Sequence, residues 1–184
     1  KKFNFLYLGL LKPNKGVFEY LKAIKIVIET GVKNINFYLI GASYGISFKE
    51  INDFILINNL EKNIIFKNEF VTEKEKKEFY KVCNYAIVPY SVNYAGGAGA
   101  LKEAISYGRP VLSSSLKQFE MLADKSNSIS IFEVDNVKRL ANIMIELSMT
   151  PADKQLKIRE NAKNFSNSIG WPSASEFYKN YTKE

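Results

Sequence analysis

The sequence predicts an α/β protein: a doubly wound, mainly parallel sheet with helices on both faces. Two observations carry this. Short apolar runs alternate with helical patterns of about ten residues or more. The apolar runs also lack clean in–out alternation, as strands covered on both sides do.

The elements follow in order. Residues 3–8 read as an aromatic-rich strand ending at Gly9. Asn14-Lys15-Gly16 reads as a turn, and a helix follows over 17–29, with Leu21, Ile24 and Ile28 on its apolar face. Residues 37–40 form a second strand, closed by Gly41. Ser47 with Glu50 has capping-box spacing before a helix to about residue 58. Residues 64–66 form a short strand. Thr72 with Glu75 repeats the cap before a helix to about residue 83. Residues 85–88 form a strand stopped by Pro89, and the small-residue loop 95–99 opens a helix to about residue 107. Gly108-Arg109-Pro110 turns into a strand at 111–113. Glu120, after three serines, is expected to cap the next helix. A last strand covers 129–132, and helices are expected at 136–148, 153–165 and 173–181. No internal repeat or linker divides residues 1–184, so they read as one domain that includes the helices over 153–184.

Composition narrows the chemistry. The chain has 184 residues, 46% of them hydrophobic, with one Cys and no His. A Ser-His-Asp triad, a histidine base and a His-rich metal site are therefore excluded, and Cys83 has no partner for a disulfide within the chain. The net charge of +7 comes from Lys+Arg 26 against Asp+Glu 19. The lysines are scattered among glutamates, as in residues 73–78, rather than gathered with arginine into a phosphate-tracking face. No nucleic-acid partner is expected. No window approaches the roughly 18 apolar residues of a membrane span, and nothing at the amino end reads as a signal peptide. A cytoplasmic protein is expected.

Ligands of such sheets bind beyond the carboxyl ends of the strands. Gly9, Gly41 and residues 96–99 fall there. Gly97-Ala98-Gly99 precedes a helix directly, and bare N–H groups at a helix start suit a phosphate or diphosphate. A tight strand-to-helix turn would use the same residues. Lys15, beside Gly16, is placed to reach the same crevice as a counter-ion. Glu103 stands one turn into the following helix, where a carboxylate can accept two hydrogen bonds from a ribose diol. Taken singly, each is also an ordinary surface charge.

Together these segments resemble the C-terminal, donor-binding domain of retaining glycosyltransferases of the GT-B fold, the group 1 (family 4) class. Gly9-Leu10-Leu11-Lys12-Pro13-Asn14-Lys15-Gly16 is similar to that family's opening glycine-arginine-leucine and lysine-glycine pattern. Residues 37–41 resemble its second strand and glycine, 65–71 the segment near the nucleobase, and 87–91 the strand leading to the donor loop. Leu101-Lys102-Glu103-Ala104-Ile105-Ser106-Tyr107-Gly108-Arg109-Pro110-Val111 resembles its Glu-Ala…Gly-Arg-Pro-Val block. Phe165 to Trp171, Tyr178 and Tyr181 resemble its carboxyl end.

The resemblance implies a Rossmann-like domain, one half of a GT-B fold, that binds a nucleoside-diphosphate sugar of UDP, GDP or ADP type. It implies no metal and no other cofactor. Lys15 and Glu103 would be the catalytic residues, Lys15 on the donor phosphates and Glu103 on the ribose. Gly9, Gly41, Phe70, Val71, Gly97, Ala98 and Gly99 would complete the donor site. An N-terminal acceptor-binding domain, in cis or in a partner chain, would be required, so this chain alone is expected to bind nucleotide without transferring sugar. Peripheral association of the full enzyme with the inner membrane face is compatible with this. Two charged family positions differ: Leu10 stands where the family has arginine, and Ala95 where it has the first glutamate of its Glu-x7-Glu pair. Asn93 and Tyr94 are candidates for substitute sugar contacts. A non-catalytic nucleotide-sugar-binding or regulatory module of the same fold is the alternative.

Overall fold

The computed structural model describes residues 2–169. The expected helix at 173–181, with Trp171, Tyr178 and Tyr181, lies outside them.

Six strands make one sheet: β1 (Phe3–Leu8), β2 (Ile35–Ile40), β3 (Ile64–Lys67), β4 (Tyr85–Val88), β5 (Val111–Ser114) and β6 (Ile129–Phe132). Their order is β3-β2-β1-β4-β5-β6, and every pairing is parallel. The sheet grows one way from β1 to β3 and the other way from β4, so its switch point lies between β1 and β4.

Among the described residues seven helices cover it: α1 (Val17–Glu29), α2 (Phe48–Ile57), α3 (Glu73–Val82), α4 (Gly99–Ser106), α5 (Lys117–Ala123), α6 (Val137–Ser148) and α7 (Ala152–Ile169). Along β1, Phe5 and Tyr7 enter one core cluster and Leu6 the other, as the period of a strand requires. The first cluster joins Phe5 and Phe37 to Leu21 and Ile24 of α1, Ile51 of α2 and Met144 of α6. The second joins Leu6, Ile40 and Val88 to Tyr80 of α3, Leu101 and Ile105 of α4, and Phe119 of α5.

Both capping boxes form. Ser47 and Thr72 accept from the backbone N–H groups of Glu50 and Glu75, whose carboxylates accept in return from the N-cap backbones. Strand β2 begins earlier than its apolar run, because Ile35 and Asn36 pair with Phe3 and Asn4. The turn before α1 is a 3-10 turn, Pro13–Lys15, with proline in the position that needs no N–H.

Glu120 is not a cap. The N-cap of α5 is Leu116, and Glu120 lies exposed in the first turn. Two of the preceding serines are engaged elsewhere: Ser113 Oγ donates to Val88 O, and Ser115 Oγ accepts from Val134 N.

Cys83 is fully buried in the second core cluster. Its carbonyl accepts from Arg109 and Arg159, each at 3.3 Å, and burial pushes the thiol up to about 12. A thiol so held is inert at neutral pH.

Candidate functional site

The site is built by two close backbone approaches at the carboxyl ends of the central strands. Gly41, after β2, has φ +149°, and a Cβ there would lie 1.9 Å from the Gly9 carbonyl oxygen. Gly16 has φ +67°, and a Cβ there would lie 1.7 Å from Pro89 O. Only glycine permits either contact. The first brings the β1 and β2 loops together. The second presses the β1 loop onto the end of β4, where Ser91 N donates to Asn14 O at 3.2 Å.

That arrangement fixes Lys15. Its Nζ lies 5.2 Å from the centroid of the Tyr90 ring and 4.0 Å from the place a Cβ on Gly9 would occupy. Burial first, and the charge of Lys12 second, hold its ammonium below the ordinary lysine pKa.

Next to Gly9 is a recess of about 130 Å³. Gly9, Leu10, Gly41, Phe70, Val71 and Glu103 line it, with Lys76 and Glu69 at its wall. Phe70 is 80% exposed, so its ring offers an uncovered apolar face at the rim. Glu103 is half-buried on α4. One oxygen accepts from Lys76 Nζ at 2.8 Å and the other from the Tyr80 hydroxyl at 3.3 Å. Lys76 also pairs with Glu73, and these hydrogen bonds raise its ammonium above the ordinary range. The Tyr80 hydroxyl is raised too, by burial and then by the charge of Glu103.

The loop before α4 forms a separate rim. Gly97 and Gly99 are exposed, and neither they nor Ala98 lines the recess. Ala98 is the N-cap and supplies no side-chain acceptor, which leaves the first N–H groups of α4 available to an outside anion. Ala95 and Asn93 are exposed. The Tyr94 hydroxyl donates to Gly97 O at 3.0 Å, and Gln118 holds Gly96 O at 3.0 Å.

Gly9, Gly41, Phe70, Val71 and Glu103 thus share one recess, with Lys15 at its Gly9 edge and residues 97–99 apart from it. Lys76 and Tyr80 were not singled out from sequence. Their i, i+4 spacing puts them on one helix face, but nothing distinguishes Lys76 from the other lysines of residues 73–78.

A larger cleft of about 690 Å³ lies at the opposite, amino ends of the strands, around Asn4, Asn84, Gln155 and Arg159. Its amides are hydrogen-bonded to one another and to backbone, Asn36 to Asn4 and Asn84 to Gln155. Among the described residues, no cluster of His, Cys, Asp or Glu suits a metal ion, and no helix is long and apolar enough to cross a membrane.

A parallel sheet of this order, covered on both sides and recessed beyond the carboxyl ends of its strands, defines the Rossmann-like α/β class. The chain belongs to the group 1 glycosyl transferases, whose family model matches residues 2–149. No curated protein matches the sequence significantly. Its fold is similar to the C-terminal domain of a group 1 glycosyl transferase family protein from Francisella tularensis. The TM-score is 0.77 at 16% identity, over 91% of this chain and 85% of that one. It is similar to HepE from Anabaena, solved with UDP and glucose, with TM-score 0.80 at 17% identity over 100% of this chain and 49% of that one. Sucrose-phosphate synthase from Thermosynechococcus elongatus gives TM-score 0.77 at 17% identity, over 96% and 45%. The chain therefore spans less than half the length of these last two proteins, and its architecture is that of the C-terminal half of a GT-B fold.

Proposed function

We propose that this chain is the donor-binding domain of a retaining glycosyltransferase and binds a nucleoside-diphosphate sugar of UDP, GDP or ADP type. The observation that carries the reading is the convergence of Gly9, Gly41, Phe70, Val71 and Glu103 on one recess beside Lys15. In this reading the base lies along Phe70 and Val71, and the ribose hydroxyls donate to Glu103. A carboxylate has about four acceptor sites, so two hydrogen bonds to Lys76 and Tyr80 leave capacity for a diol. The diphosphate passes Gly9 to Lys15 and ends on the N–H groups at the start of α4.

The chemistry follows from where charge develops. Breaking the sugar–phosphate bond leaves a nucleoside diphosphate with added negative charge. Lys15 and the helix N-terminus, placed beforehand, favour that state over the substrate. The UDP and glucose bound to the Anabaena neighbour support this choice of ligand class. The acceptor then comes from an N-terminal domain across a cleft, in cis or in a partner chain, and residues 1–184 alone transfer no sugar.

Calorimetry with UDP, GDP and ADP tests the reading. Binding of at least one with a sub-millimolar Kd is expected. No detectable binding of any by folded protein at millimolar ligand would overturn it. A non-catalytic binding module is the second reading, favoured by two observations: Leu10 gives the recess an apolar wall, and Ala95 brings no carboxylate to the loop. Donor turnover by the two-domain protein separates the two.

A further inference from the structure

We infer that the cleft at the amino ends of the strands is a second binding site, whose ligand is a sugar phosphate. It lies at the opposite ends of the strands from the donor recess and does not depend on the donor reading.

A row of amides lines this cleft. Asn36, Asn4 and Asn84 stand on β2, on β1 and just before β4, three neighbours in the sheet. Asn36 Nδ2 donates to Asn4 Oδ1 at 3.2 Å, and Asn4 Nδ2 donates to Val82 O at 2.8 Å. Asn84 Oδ1 accepts from Asn4 N at 3.0 Å, and Asn84 Nδ2 donates to Gln155 Oε1 at 3.5 Å. These bonds fix the amides in advance of a ligand. An amide nitrogen has two N–H donors and its oxygen two acceptor sites, so each asparagine keeps capacity for a hydroxyl group. Val82 and Leu156 add exposed apolar surface that suits the C–H face of a sugar ring.

The charges around the amides have one sign. Lys2, Lys81 and Arg159 line the cleft, and among the described residues no Asp or Glu does. A hollow of about 440 Å³ continues it past Asn84 and Gln155 to Lys33, again with no acidic residue in its wall. Arg159 and Arg109 both donate to one neutral acceptor, the Cys83 carbonyl. Among the described residues neither arginine has a carboxylate at ion-pair distance, and the buried Arg109 Nε has no hydrogen-bond partner. A half-buried pair of guanidinium groups without a counter-charge is costly, and an anion bound beside Arg159 offsets that cost. The ligand thus needs an anionic group for Arg159 and hydroxyl groups for the amides. No aromatic ring lines the cleft to stack a base. Its volume of about 690 Å³ is that of a small-molecule site. A phosphate monoester of a sugar has both kinds of group.

The test is a titration followed by the side-chain amide signals of Asn4, Asn84 and Gln155 in 15N-labelled protein, with glucose 6-phosphate, inorganic phosphate and glucose as probes. Glucose 6-phosphate should shift these signals and saturate, inorganic phosphate should act more weakly, and glucose alone should leave them in place. Arg159→Gln should weaken glucose 6-phosphate about tenfold or more, the scale of a lost charge-assisted hydrogen bond. Lys81→Met, at an exposed position, should weaken it severalfold and keeps the test decisive if Arg159→Gln fails to fold, which its thermal transition reports. Saturating UDP should move the backbone signals of Gly41 and Gly97 and leave the glucose 6-phosphate shifts unchanged. Amide signals that stay in place with glucose 6-phosphate, or shifts that survive in both variants, would overturn the inference and leave the donor reading intact. Capture by anionic vesicles that is lost in Arg159→Gln, with no shift by glucose 6-phosphate, would assign the cleft to a lipid headgroup and overturn it as well. Failure of UDP, GDP and ADP to bind would overturn the donor reading and leave this inference standing.

Discussion

Lys76 Nζ lies 2.8 Å from Glu103 Oε1, so a cation on α3 meets the carboxylate on α4 at the wall of the recess. The pair orients the carboxylate and takes only part of its acceptor capacity. Glu103→Ala should therefore weaken a bound nucleoside diphosphate about tenfold to a hundredfold, the usual scale for hydrogen bonds to a charged group. Inorganic diphosphate, which has no ribose, should bind Glu103→Ala as it binds the wild type. Equal losses for both ligands would place Glu103 on the phosphates or on folding rather than on a sugar ring.

The same pair is partly exposed, at 23% for Lys76 and 31% for Glu103. Solvent screening limits its coupling to about 1 kcal/mol. A double-mutant cycle with Lys76→Met and Glu103→Gln, read by urea unfolding, checks this. A coupling several times larger would mean that the pair is a keystone of the fold.

Gly41 and Gly97 should respond very differently to alanine. At Gly41 the added Cβ would meet Gly9 O at 1.9 Å with φ +149°, so Gly41→Ala should cost about 3 kcal/mol or more. At Gly97 a Cβ meets nothing within 4 Å, and Gly97→Ala should change stability by less than about 0.5 kcal/mol. Thermal unfolding of the two variants checks the contrast. A stable Gly41→Ala would mean that the β1 and β2 loops can separate.

Acid stability should carry the mark of the α3 cap. The Glu75 carboxyl is held down at about 2, by Lys67 first and the Thr72 backbone and hydroxyl next. Its folded value lies below the ordinary carboxylate value of 4.5, so its contribution is present above that pH and is lost as pH falls towards about 2. Glu75→Gln should be less stable than wild type at pH 6, with the difference closing between pH 4.5 and 2. A difference that persists at pH 2 would assign the effect to packing.

Legibility differed between fold and site for physical reasons. Apolar runs such as residues 37–40 and 85–88 were readable because a strand buried on both faces has no alternative use for them. The Ser47–Glu50 and Thr72–Glu75 boxes were readable because a cap is a local contact. Glu120 misled because the serines before it bond across the sheet to Val88 and Val134, partners far away in sequence. Lys76 was hidden because its partner is 27 residues away, and only the packing of α3 beside α4 tells it from Lys74 or Lys77. The bonds from Tyr94 to Gly97 O and from Gln118 to Gly96 O, which hold the loop before α4, follow from no spacing rule.

Lys15 should trade stability for binding. Burial and the Lys12 charge lower its pKa from the ordinary 10.5, so the protein is strained by keeping it charged at neutral pH. That penalty is fully present below the folded pKa and fades as pH rises through it. Lys15→Met keeps the length of the side chain and removes the charge, so its thermal midpoint at pH 7 should equal or exceed that of wild type. Its affinity for a nucleoside diphosphate should fall about tenfold or more. A bound diphosphate favours the ammonium and restores its pKa. Wild-type affinity should therefore stay level near pH 7 and fall as pH rises through the lowered value, before an ordinary lysine would titrate. Lys15→Met should lose that early decline. Calorimetry from pH 7 to about pH 10, beside melting curves of both proteins, reads the two effects separately. A variant that is both less stable and unchanged in affinity would make Lys15 a structural residue of the β1 loop.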